Sequence, residues 1–244
     1  MPGEAPSFER HQGKISFTYR DGGLYGEFMN AGRLEAWRHA LASHPIDRSR
    51  IVDVGCSYGS WSANWRALGF KTLCGIDPNP EVIPRAREQF DEAHAGDATE
   101  VGARFGPVAT AGANGVLVHI LEDREVVRFL RGVREALAPD GHFLFSVIQP
   151  EYYFGAGRRE WFGPVSCARK VERHLRFAEE AGLRVVDQIG TFIDPWASPD
   201  FEFIAGSELR EDPRTFEAFQ GLSNLIRGHE TRPFSELLLV ARPA

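Results

Sequence analysis

The chain lacks the features that mark several large protein classes. No window of its 244 residues holds the roughly 18 consecutive apolar residues that a membrane-crossing helix needs, so no span is expected. The opening Met-Pro-Gly-Glu-Ala-Pro has neither the basic nor the apolar region of a secretory signal. Cysteine is scarce: Cys56, Cys74 and Cys167 are odd in number and lack metal-ligand spacing, which points to reduced, mostly buried thiols in a cytoplasmic protein. Net positive charge is absent as well. At a formal charge of −6 there is no overall basic field to hold a nucleic acid, which argues against such a partner. No internal repeat or low-complexity tract is visible. What is left is a soluble composition, 43% hydrophobic and 25% charged, in a length that suits one domain with a sizeable core.

The stretch Ile51-Val-Asp-Val-Gly-Cys-Ser-Tyr-Gly59 organises the rest. Ile51 to Val54 read as a short apolar strand, Gly55 to Gly59 as a tight turn, and Ser60 to Leu68 as a helix. A strand that enters a helix through glycines lets a ligand lie against bare backbone amides. Strand and helix signals then alternate, the pattern of a parallel sheet with helices on both faces. Lys71 to Ile76 is a second strand ending in Asp77-Pro78-Asn79-Pro80, with Glu81 to Phe90 as its helix. A third strand is expected at His94 and Ala95, before Gly96-Asp97-Ala98, and a fourth from Gly115 to His119. Arg124 to Leu137 reads as a helix closed by Ala138-Pro139-Asp140-Gly141, ahead of a fifth strand from His142 to Ile148. Arg169 to Ala181 is a helix, Leu183 to Ile189 a sixth strand, and Phe234 to Ala241 the last.

Five of these junctions, taken together, resemble class I S-adenosylmethionine-dependent methyltransferases. Asp53, Gly55 and Gly59 match that family's acidic residue and glycine-rich turn, with Ser57 where many members carry another glycine. Asp77, 24 residues after Asp53, stands where the family binds the cofactor's ribose, and two carboxylate oxygens suit a vicinal diol. Gly96-Asp97-Ala98 resembles the adenine-recognising segment, and Leu137 to His142 the turn before strand five, with Asp140 replacing a glycine. The resemblance runs from about residue 48 to 148. It implies a doubly wound α/β fold with a mostly parallel seven-stranded sheet and an antiparallel last strand. It also implies S-adenosylmethionine as cofactor, held by Asp53, Gly55, Cys56, Ser57, Gly59, Asp77, Pro78, Asp97 and Ala98. A dinucleotide-binding dehydrogenase fits less well, because the second and third glycines of Gly-x-Gly-x-x-Gly are missing. Taken singly, Asp53 and Asp77 could each serve a turn and Asp97 could cap a helix near Ala98.

Outside this core, residues 1–45 read as an N-terminal arm and cap helix (Leu24 to Ser43), and 46–244 as the catalytic domain with long insertions at about 149–168 and 191–233. The cap helix either covers the sheet or, with Tyr19, Arg20, Tyr25 and Arg33, forms part of a lid. Arg214 to Ile226 looks helical. Tyr25, Tyr152, Tyr153, Trp161 and Trp196 are candidate acceptor-binding residues. With Phe154, Phe162, Phe192, Phe201 and Phe203 they form either an aromatic pocket or a satellite core under the loops.

His119, read as closing the fourth strand, is the candidate general base, since an imidazole titrates near neutral pH; the alternative is that it packs or touches the cofactor. Glu122 and Asp123 read as caps of the next helix, and His142 as structural. Too few carboxylates converge there for a catalytic metal, and none is expected. The resulting expectation is in-line methyl transfer to a small organic acceptor, a hydroxyl of a sugar or secondary metabolite, in biosynthesis. The alternatives are N-methylation, a protein or tRNA acceptor and, in a different class, a regulator that binds the cofactor without catalysis.

Overall fold

The computed structural model describes residues 23–153, 159–195, 209 and 212–244. Tyr19, Arg20, Phe154, Trp196, Phe201 and Phe203 lie outside them. Helix α1 (Gly23–Ser43) leads into β1 (Arg50–Val54), α2 (Ser62–Ala67), β2 (Thr72–Asp77), α3 (Ile83–Ala86), β3 (Glu92–Ala95), α4 (Val101–Phe105), β4 (Val108–Ala113), α5 (Asp123–Ala136) and β5 (Leu137–Ile148). A short ribbon, β6 (Trp161–Phe162) with β7 (Cys167–Ala168), precedes α6 (Val171–Glu180), β8 (Leu183–Gly190), α7 (Pro213–Ile226) and β9 (Glu236–Pro243).

Seven strands join in the order β3-β2-β1-β4-β5-β9-β8. Every pairing in this sheet is parallel except the two made by β9, which runs against both β5 and β8. This is the expected doubly wound sheet. The chain winds outward from β1 to β3 and then restarts at β4 on the other side, so the switch point where open α/β sheets bind ligands lies between β1 and β4.

Side chains alternate between the two faces and build two cores. On one face Val52, Val54, Ile76, Ala111, Phe143, Phe145 and Leu239 pack with Val126, Leu130 and Val133 of α5 and Phe177 of α6. On the other, Ile51, Leu73, Leu144, Leu238 and Val240 pack under Trp37, Ala40 and Leu41 of α1 and Trp65 of α2. Helix α1 packs differently along its length. Its second half covers the sheet, while Phe28 in its first half meets Phe192 and Phe216 beyond the strand ends, with ring centroids 5.8 and 5.4 Å apart.

The fourth strand is not Gly115 to His119 but Val108–Ala113; Leu117–His119 is a single 3-10 turn with Leu117 buried. Residues 108–113, Val-Ala-Thr-Ala-Gly-Ala, carry little strand propensity. They are small because bulky neighbours demand it: a Cβ on Gly112 would stand 3.0 Å from the Trp37 ring and 3.2 Å from Trp65. The fifth strand begins directly at Leu137, and the expected closing turn becomes an irregularity in the ladder between Val108 and Thr110. Of the expected helix from Glu81 to Phe90, only Ile83–Ala86 is α-helical.

His174 on α6 is 4% exposed, and its Nδ1 has no hydrogen-bond partner among the described residues. Burial, reinforced by the charges of Arg169 and Arg173, pushes its pKa down to about 3. An unfolded chain protonates this ring near pH 6.5, so the folded state holds fewer protons only below that value. His174 should therefore leave stability untouched above pH 6.5. Between about pH 6.5 and 3 it should lower stability progressively, by a total on the order of 4 kcal/mol. Urea midpoints across this window should fall less steeply for His174→Leu than for wild type; parallel curves would clear His174 of the effect.

Candidate functional site

The turn after β1 is left-handed at three residues, with φ of +86° at Gly55, +49° at Ser57 and +82° at Gly59. A Cβ on Gly55 would lie 2.6 Å from Val116 Cγ2, and one on Gly59 2.9 Å from Gln89 Cβ. Glycine is thus required at both positions for conformation and for space. The amides of Gly55 and Cys56 both donate to the carbonyl of Ile76, at 2.8 and 3.1 Å, which ties the turn to the end of β2. There Asp77 accepts from the Ser57 amide through Oδ2 and from the Asn79 amide through Oδ1, both at 2.9 Å. Burial raises the Asp77 pKa, and these two bonds oppose the rise. The half-buried carboxylate and the glycine turn form one unit, with Pro78 exposed at its rim.

Other expected cofactor residues are placed differently. Asp53 is 4% exposed beneath the turn, where it accepts from Trp65 Nε1 at 2.8 Å. Burial raises its pKa to about 7 against that bond, with a further push from Asp77. The Cys56 side chain is buried, and its Sγ would stand only 2.8 Å from a Cβ on Gly75. Only the backbone of Cys56 is free of that packing role. Asp97 caps the 3-10 turn of residues 98–100: its Oδ1 accepts from the Thr99 amide at 2.8 Å while Glu100 accepts from its own amide at 3.3 Å, a capping box. Arg128 donates to its other oxygen at 2.6 Å. Burial works against these bonds, yet they hold the Asp97 carboxyl below the usual range. Ala98 is buried beneath, where Gly132 of α5 comes so near that a Cβ would meet its backbone at 2.7 Å.

His119 lies on the turn that follows β4 rather than closing the strand, still at the carboxyl edge of the sheet. Its Nδ1 is 3.4 Å from the Val165 carbonyl oxygen, and burial lowers its pKa against that contact. The neutral ring is therefore the form present near pH 7. Glu122 occupies the N-cap position of α5 without a side-chain cap bond. Asp123 instead binds two arginines: Arg169 Nε donates to Oδ1 at 2.9 Å, and Arg173 donates to Oδ2.

Arg169, which nothing in the sequence singles out, is fully buried and also donates to the Ile120 carbonyl at 2.8 Å and to the Leu121 carbonyl. One guanidinium thus fastens the first insertion to the loop that carries His119. The ribbon of that insertion leaves Trp161 and Phe162 41% and 49% exposed, with Arg169 and Arg173 5.1 and 5.5 Å from the centre of the Phe162 ring.

A second group gathers at the carboxyl ends of β5 and β8 and the start of β9. Tyr25 OH donates to Asp194 Oδ2 at 3.1 Å, and Asp194 is 1% exposed. Arg33 grips Glu236 with two bonds of 2.8 and 2.6 Å. Burial first, then the Asp194 charge, raises the pKa of both Tyr25 and Tyr153, so both phenols remain protonated donors. Tyr152 turns elsewhere and accepts from Arg232 Nε at 2.6 Å at the surface. Tyr25 and Arg33 are named from the sequence, but Asp194 and Glu236 are not, because they lie 169 and 203 residues from these partners. Among the described residues no group of three or more His, Cys, Asp or Glu is placed to hold a metal ion, and no helix is long and apolar enough to cross a membrane.

A glycine cradle with an acid on the next strand, at the switch point of a doubly wound sheet, defines a nucleoside-binding α/β protein. Comparison with known proteins narrows this: residues 25–186, well over half the chain, match the family described as a methyltransferase domain. The sequence is 27% identical over 203 residues to the tRNA U34 carboxymethyltransferase of Azotobacter vinelandii, covering 70% of this chain but only 58% of that protein's length. A solved S-adenosylmethionine-dependent methyltransferase from Clostridium acetobutylicum superimposes with a TM-score of 0.59 at 10% identity, covering 87% of this chain and 91% of the other. The mitomycin 7-O-methyltransferase MmcR superimposes with a TM-score of 0.61 at 17% identity, over 98% of this chain and 61% of the other. The chain belongs to the methyltransferase domain family and shares its fold with solved S-adenosylmethionine-dependent methyltransferases.

Proposed function

We propose that this enzyme methylates a hydroxyl of a small polar acceptor held between α1 and the ends of β5, β8 and β9. The observation that carries this reading is the buried group of Tyr25, Asp194, Arg33 and Glu236, with Tyr153 beside it. Buried charge is costly unless paired, and its concentration at the carboxyl ends of β5 and β8 supports a hydrogen-bonding acceptor rather than an apolar one. The turn of Gly55, Cys56, Ser57 and Gly59 would receive the cofactor, with Asp77 and Pro78 at its ribose. Asp97 and Ala98 would lie at its adenine, and Asp53 would support the turn from below. The bound sulfonium supplies an already activated methyl group, so the protein's task is alignment and removal of one proton. His119, neutral near pH 7, would accept that proton from the acceptor hydroxyl.

His119→Gln is expected to slow turnover at saturating substrates by about 10²-fold or more and to leave S-adenosylhomocysteine affinity unchanged. Because burial holds the wild-type histidine below its usual range, the wild-type rate should fall only well below neutral pH, and the variant should lose that limb. Equal turnover in the two proteins would return His119 to a packing role.

A tRNA acceptor is the second reading, favoured by the named activity of the Azotobacter relative. Against it stand the net charge of −6 and a match that spans 58% of that relative. The experiment is to incubate the protein with S-adenosylmethionine and either a pool of sugars and phenols or bulk tRNA, and to measure S-adenosylhomocysteine release. Release with the small molecules alone is expected; release with tRNA alone would reverse the choice of acceptor.

A further inference from the structure

Where β4 ends, Asn114 meets the cap helix: Trp37 Nε1 donates to Asn114 Oδ1 at 3.0 Å. An indole nitrogen can only donate, so this bond decides which end of the amide is oxygen. The NH2 end is buried and has no acceptor among the described residues. Its surroundings are fixed: the Gly115 amide donates to Ser146 Oγ at 2.8 Å, and Val116 fills the space that a Gly55 side chain would need. Asn114 is therefore rooted beside the glycine turn, with a donor pair unused among the described residues. Buried donors are nearly always satisfied, so an orphan beside a ligand turn points to an acceptor that the ligand brings.

The topology says which acceptor. Asp77 and Asp97 follow β2 and β3, on one side of β1, and Asn114 follows β4 on the other. A cofactor whose nucleoside lies over β2 and β3 extends its amino-acid end across β1 towards β4, and the hydrogen-bond acceptor on that end is the carboxylate. We infer that Asn114 Nδ2 donates to the cofactor's amino-acid carboxylate, with Trp37 as the positioning residue that turns the amide. This rests on the cofactor placement proposed above.

The test is calorimetric titration of the full chain with S-adenosylhomocysteine and with 5′-methylthioadenosine, which keeps the nucleoside and sulfur but has no amino-acid group. Asn114→Asp keeps the size and the acceptor for Trp37, yet turns an oxygen towards the carboxylate. S-adenosylhomocysteine affinity should fall by about tenfold or more, and methylthioadenosine affinity should stay within about twofold. Trp37→Phe keeps an aromatic ring, though a smaller one, but removes the N–H, and should produce a smaller loss, about threefold, confined to the same ligand. Equal losses for both ligands, or an undiminished S-adenosylhomocysteine affinity in Asn114→Asp, would overturn the inference. Wild-type protein that binds neither ligand would instead remove the cofactor placement on which it stands.

Discussion

Asp77→Ala is expected to weaken S-adenosylhomocysteine binding by about 1 to 3 kcal/mol, a drop of roughly 5- to 150-fold, through the loss of charge-assisted bonds to a diol. The structure adds a second route to the same result. Asp77 holds the Ser57 amide at 2.9 Å, so its removal also frees the left-handed middle of the turn. Asp77→Asn separates the two contributions. An amide oxygen can still accept from Ser57, so the turn survives, but an uncharged group with one acceptor oxygen cannot take both ribose protons. Calorimetry should rank wild type above Asp77→Asn and Asp77→Asn above Asp77→Ala. Equal affinity in all three proteins would remove Asp77 from the ribose site.

Arg169→Met should cost about 3 kcal/mol of stability, which in a chain of 244 residues lowers the melting midpoint by roughly 6 to 12 °C. Asp123 is not the main loser, since it is half exposed and retains Arg173. The loss falls on the carbonyls of Leu121 and of Ile120, the latter keeping only the weak Cys167 thiol donor at 3.5 Å. A midpoint within about 2 °C of wild type, by calorimetry, would show that water takes over these bonds. Turnover should fall with stability, because the same guanidinium fixes the loop bearing His119.

Features written in local sequence were legible. The glycine turn is set by spacing within nine residues, Asp77 by its place at a strand end, and the Asp97 cap, the alternative to its adenine role, by its place before Ala98. Features decided by distant partners were not. Residues 108–113 read poorly as a strand because their small size answers to Trp37 and Trp65, so the apolar run around Leu117 took their place in the reading. Asp53 was recognised, but its burial against Trp65 depends on packing between α2 and the sheet. The acceptor side was hardest, since Tyr25 meets Asp194 and Arg33 meets Glu236 only after the sheet has closed.

The pairing of Arg33 with Glu236, 203 residues apart, also sets an order of assembly on the ribosome. At about 5 to 20 residues per second, Arg33 emerges roughly 10 to 40 s before its partner is made. A nascent chain that ends after β4 already contains the glycine turn, Asp77 and Asn114, whereas the proposed acceptor side waits for β9. The proposed cofactor half of the site can thus be assembled early in synthesis, and the proposed acceptor half only once Glu236 has been made.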